Sequence, residues 1–105
     1  MANYLLVYHG GDEMPSDEAA AAAEMQAWGD WLGGLGSSVV DGGNPVGRNW
    51  TTSADGTTED GGPNPVTGYS IVSADSMQAA LEMALGCPHM RSSGTIEICE
   101  TFDVG

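Results

Sequence analysis

Two segments of this 105-residue chain are patterned as strands with apolar groups on both faces. Side chains alternate across a strand with period 2, so Tyr4-Leu5-Leu6-Val7-Tyr8 and Tyr69-Ser70-Ile71-Val72 present apolar groups to each side of any sheet they join. Only two stretches carry helical patterning, and two helices cover one face of a small sheet. The other face needs a second layer that so short a chain does not supply, so a partner subunit is expected to supply it. These strands constrain architecture and leave chemistry open.

The remaining elements follow from caps and periodicity. Ser16 is the expected N-cap of a first helix, with Asp17 and Glu18 in the first turn where the helix dipole favours acids. Met25, Trp28, Leu32 and Leu35 form one apolar stripe, and Gly33, Gly34 and Gly36 end the helix. Ser37 to Val40 reads as a short second strand, Arg48 to Ser53 as a hairpin arm, Ala54 to Pro65 as a loop and Gly68 to Ala74 as the third main strand. Asp75 is the expected cap of a second helix, with Gln78 completing a capping box. Its apolar face is read as Met77, Ala80, Leu81, Ala84 and Leu85, closed by Gly86 and Pro88. Thr95 to Phe102 is the last strand. The order β-α-β-β-α-β predicts a single α+β domain over 1–105, a ferredoxin-like (split βαβ) fold. Right-handed crossovers place the last strand beside the first, then the third, then the second, in a four-stranded antiparallel sheet.

A short echo links Asp41-Gly-Gly-Asn-Pro-Val-Gly47 with Asp60-Gly-Gly-Pro-Asn-Pro-Val-Thr-Gly68. Two readings stand: Gly/Pro turns bracketing one hairpin arm, or paired loops lining a pocket.

Charge excludes several partners. Fifteen Asp and Glu face two Arg (Arg48, Arg91) and no Lys, a net charge of −13. Nucleic acids and anionic membranes need Lys or Arg to replace counterions, so neither is an expected partner. The same imbalance suits a carboxylate-rich surface screened by a high-salt cytoplasm, or simply an acidic soluble protein. No apolar run approaches the ~20 residues of a membrane span. Met1-Ala2-Asn3-Tyr4 lacks the basic start of a signal peptide, so a cytoplasmic protein is expected. Cys87 and Cys99 are then expected as free thiols, their spacing matching no zinc or redox motif.

With that order in place, Tyr4-Leu-Leu-Val-Tyr8, Val39-Val-Asp-Gly42, Asp60-Gly-Gly-Pro63 before Gly68-Tyr-Ser-Ile-Val72, Ala74-Asp-Ser76 and Gly94-Thr-Ile-Glu97 together resemble the YCII-related (DGPF) domain family over nearly the whole chain. The resemblance implies a dimeric α+β barrel in which two ferredoxin-like sheets face each other. In the family's enzyme-like branch a His on the first helix and an Asp near the second strand form an acid–base pair. Asp41 matches that Asp, whereas Ser16 to Gly36 contains no histidine, and the eponymous Asp-Gly-Pro-Phe is altered to Asp60-Gly61-Gly62-Pro63.

The topology gathers His9, Asp12, Asp41, Asp60 and His89 at one end of the sheet. His9 is the first candidate for general acid–base work, oriented by Asp41, with His89 second. The alternative is a structural His9 that ends its strand by bonding a loop carbonyl. Asp60, Asn44 and Trp50 are candidate ligand contacts. Two His with one or two Asp suit zinc or non-haem iron, but the short fixed spacing of such sites is missing, and no metal site or cofactor is expected. Neither a phosphate loop nor a G-x-S-x-G elbow occurs. Trp28 is read as core and Trp31 as reaching the subunit interface. The expectation is a small homodimer that binds a small uncharged or cationic molecule in a cleft at one end of the sheet, with His9–Asp41 acid–base chemistry; the alternative is a non-catalytic dimeric accessory or ligand-binding module with structural histidines.

Overall fold

The computed structural model describes residues 1–104. Strand β1 (Ala2–His9) leads to helix α1 (Glu18–Leu35), a 3-10 turn, and strand β2 (Val39–Asp41). A hairpin of β3 (Thr51–Ser53) and β4 (Gly56–Thr58) intervenes before β5 (Val66–Ala74), helix α2 (Met77–Leu85), a second 3-10 turn (Pro88–Arg91) and β6 (Thr95–Glu100). Four strands form one sheet in the order β2-β5-β1-β6, every pairing antiparallel, which is the expected order.

The two faces of the sheet differ. Tyr4, Leu6, Tyr8, Val72 and Ala74 are buried on one face beneath Ala80, Ala84 and Cys87. Trp28, Trp31 and Leu35 of α1 and Ala79 and Met83 of α2 pack against this cluster, so both helices cover the same face. Leu5, Val7, Tyr69, Ile71 and Cys99 alternate with those residues onto the opposite face, where they are only half-buried. The chain is a slab with extents of 44 × 42 × 20 Å. Its radius of gyration is 15.0 Å, above the ~13 Å of a compact chain of this length.

Several local expectations are corrected. Asp17, not Ser16, caps α1: its carboxylate accepts from the Ala20 N–H at 2.9 Å. Ser76, not Asp75, caps α2, because Ser76 holds the extended cap backbone and its hydroxyl accepts from the Ala79 N–H at 3.1 Å. On α2 the packed face is Ala80 and Ala84 with Ala79 and Met83, while Met77, Leu81 and Leu85 are exposed. The Trp31 indole donates to the Met83 carbonyl at 3.0 Å, tying α1 to α2 within the chain. The stretch expected to be loop supplies the Ala54-Asp55 turn and the return strand β4 of a hairpin whose strand residues are all exposed.

Candidate functional site

His9 ends β1 on the half-covered face. Its Nδ1 lies 2.9 Å from the Asn64 carbonyl and its Nε2 3.0 Å from Glu97 Oε1. A carbonyl and a carboxylate oxygen only accept, so both ring nitrogens donate and His9 is an imidazolium when both bonds are made. The hydrogen bond to Glu97, reinforced by the loop carbonyls, raises the His9 pKa above the ordinary histidine value and outweighs the opposing effect of burial. With both nitrogens committed, His9 has no lone pair with which to act as a base.

The carboxylate that orients His9 is therefore not Asp41. Asp41 lies on edge strand β2, separated from β1 by β5, and its side chain accepts from the Gly43 N–H at 2.8 Å. Asp60 does the same for Gly62 at 2.9 Å. Both are exposed turn residues. Asn44 donates to the Tyr69 hydroxyl at 3.3 Å and lines a cleft described below. Trp50, 57% exposed, stands on the arm away from that cleft.

His89 sits in the 3-10 turn after α2. Its Nε2 is 3.1 Å from the His9 backbone carbonyl, so Nε2 carries the proton and donates. The two histidines do meet at one end of the sheet, but through main chain. The His89 ring packs on Tyr8, centroids 5.3 Å apart, on the helix-covered face, while the His9 ring lies on the other. Gly94 permits this approach: a Cβ there would collide with His89 Nε2 and stand 2.6 Å from the His9 carbonyl oxygen.

A cleft of about 400 Å³ opens between α1, the adjoining ends of β1 and β5, and the 42–45 turn. Trp28, Met25 and Leu32 form its apolar wall, and Tyr8, Ser70 and His89 supply polar atoms. Trp28 meets the Tyr8 ring edge-on at 5.2 Å, so it lines the cleft as well as contributing to the core. Ser70 donates to the Gly42 carbonyl at 2.8 Å, which leaves Tyr8 to donate to Ser70 at 2.7 Å. Burial of the phenol drives the Tyr8 pKa far above its usual value. Burial likewise pushes the neighbouring Cys87 thiol up to about 11, so at neutral pH it is a thiol and not a nucleophilic thiolate. A β-bulge shapes the rim: Tyr8 pairs with Gly68 and His9 with Val66, leaving Thr67 unpaired, and its hydroxyl lies 3.2 Å from the Tyr8 carbonyl and 3.0 Å from that of Gly10.

Glu97, Tyr8 and Ser70 are site residues that sequence reasoning did not single out, and Trp28, read there as core, also lines the cleft. Glu97 opposes Val7 and so lies diagonally beside His9 on the same face, a neighbour that only the β1–β6 register reveals. Among the described residues no group of three or more His, Cys, Asp or Glu side chains converges as a metal site, and no helix is long and apolar enough to cross a membrane. No protein-family model, curated protein or solved structure matches the chain.

Proposed function

We propose that this chain is a small homodimeric binding protein that takes a compact, largely apolar molecule, uncharged or cationic, in the cleft between α1 and the sheet. The observation that carries this reading is the cleft itself, about 400 Å³ with an aromatic and aliphatic wall and a few polar atoms at one end. That is the usual anatomy of a small-molecule site. The net charge of −13 disfavours anions.

The second protomer covers the Leu5/Val7/Ile71 face, giving the dimeric α+β barrel of ferredoxin-like subunits that the resemblance to YCII-related proteins implies. The 20 Å thickness of the slab and its half-covered apolar face support that arrangement. The double bonding of His9 favours binding over catalysis by a His9–Asp41 pair. A catalytic reading would instead rest on His89, whose Nδ1 makes no hydrogen bond among the described residues.

Titration of the 15N-labelled protein with ethylbenzene tests the cleft. Saturable amide shifts confined to residues 25–32, 42–44, 67–70 and 89 are expected, and Met25→Trp at the cleft mouth should abolish them. Shifts that are absent, or scattered over the surface, would refute the reading.

A further inference from the structure

Four of the polar side chains that line the cleft are of one kind, while Asn44 and Tyr69, which also line it, bond each other. Tyr8 spends its proton on Ser70, Ser70 on the Gly42 carbonyl, Thr67 on backbone carbonyls, and His89 Nε2 on the His9 carbonyl. What remains on these four side chains is acceptor capacity: hydroxyl lone pairs and His89 Nδ1. No buried side-chain polar atom lacks a partner among the described residues, so the unbonded Nδ1 is open to solvent or ligand. His89 also borders a second cavity of about 240 Å³, which shares Trp28 and Met14 with the first. Asp12, Glu13 and Glu24 line that second cavity against one cation, Arg91.

We infer that the molecule the cleft selects is an arylalkylamine: an apolar ring in the larger cavity, and an ammonium that donates to His89 Nδ1 and faces the carboxylates of the smaller one. This rests on the cleft-binding reading and adds the ligand class. A ligand carboxylate, phosphate or carbonyl would meet acceptors and repulsive charge, and the cost of an unmatched polar group makes that rejection strong. Trp28, common to both cavities, adds a π-face for the cation.

The test holds the phenyl body constant and changes the head. 2-Phenylethylamine, 2-phenylethanol, 3-phenylpropionate and ethylbenzene are titrated by 15N NMR at one ionic strength, with methylammonium as the control for attraction to the acidic surface. The amine is expected to bind about tenfold or more tighter than ethylbenzene, the factor one charge-assisted hydrogen bond supplies, with the alcohol between them and the acid weakest. Binding of the acid as tight as the amine would overturn the inference, as would methylammonium giving the same shifts as the amine. Equal binding of all four would also overturn it while leaving the apolar cleft standing; no binding of ethylbenzene would remove the cleft reading itself. His89→Phe keeps the ring on Tyr8 but loses Nδ1, and should bring the amine-to-ethylbenzene ratio close to one. Should that variant fold poorly, Glu24→Gln on α1 should narrow the amine-over-alcohol preference, and an unchanged preference counts against the inference.

Discussion

His9 Nε2 stands 3.0 Å from Glu97 Oε1, across the β1–β6 ladder and on the face of the sheet that no helix covers. Its other nitrogen donates to the Asn64 carbonyl, so the folded chain holds the protonated ring. A histidine whose folded pKa is raised contributes stability that is fully present below the unfolded value of ~6.5. That contribution is lost as pH rises through the higher folded value. Glu97 is 62% exposed, so solvent screens the pair and its worth is under about 1 kcal/mol.

Glu97→Gln should therefore flatten the fall in thermal stability between pH 6 and 8 and lower the melting temperature at pH 6 by a few degrees, as expected for a domain of this size. Superimposable melting curves for the two proteins across that range would show that the imidazolium is not held by Glu97. Two-dimensional 15N spectra provide the direct check: both His9 nitrogens should remain protonated at a pH where a free histidine is neutral.

The half-covered face leads to a second prediction. Ile71 sits at its centre, opposite Leu5 and on the side away from Leu6. Ile71→Asp should leave the helix-covered core intact and convert a dimer into a monomer, read by sedimentation equilibrium alongside circular dichroism. A wild-type protein that sediments as a monomer at all concentrations would refute the dimer.

Salt dependence follows from the charge. Fifteen acidic residues with two arginines make the folded state self-repelling, and the screening length falls from ~10 Å at 0.1 M to ~3 Å at 1 M salt. The melting temperature should rise steadily between 0.1 and 2 M KCl. A flat response would remove the high-salt reading of this composition.

The helices show how far sequence patterning reaches. The strands were legible because period-2 alternation is a local property, and Tyr4, Leu6 and Tyr8 are buried as that alternation requires. The α2 stripe was legible in period but not in phase: Leu81 and Ala84 both fit an apolar face, yet Ala84 meets the sheet and Leu81 is 36% exposed. Small residues let the helix approach closely, and no sequence period distinguishes that from a leucine face. Leu6→Ala should consequently cost about 2–5 kcal/mol, whereas Leu81→Ala should cost less than about 1 kcal/mol; urea melts of the two variants separate the cases. The His9–Glu97 bond and the His89 contact with the His9 carbonyl were not legible, because both depend on register between residues some 80 positions apart. Only the first arm of the β3–β4 hairpin was legible: its Ala54-Asp55 turn and return strand Gly56–Thr58 lie in a run of Gly, Asp and Thr that reads as loop throughout.

The two Asp-Gly-Gly segments provide an internal control for the last prediction. Asp41 and Asp60 each accept from the N–H two residues on, at 2.8 and 2.9 Å, and the donating Gly43 and Gly62 share the same φ of +79°. They are the same turn made twice, one on each side of the projecting arm, which favours the turn reading of the echo. Their surroundings differ. A Cβ on Gly62 meets nothing within 4 Å, whereas one on Gly43 would overlap the Tyr69 backbone carbonyl. Gly62→Ala should therefore cost only the backbone penalty of a left-handed residue, about 1–2 kcal/mol. Gly43→Ala should cost that and more, because β5 is fixed in the centre of the sheet and cannot retreat. Since Gly43 also lines the cleft beside Ser70, the variant should weaken ethylbenzene binding while Gly62→Ala leaves it intact. Equal destabilisation by the two substitutions in urea melts would mean that the 42–45 turn does not rest on β5 as described, and the cleft wall it forms would have to be redrawn.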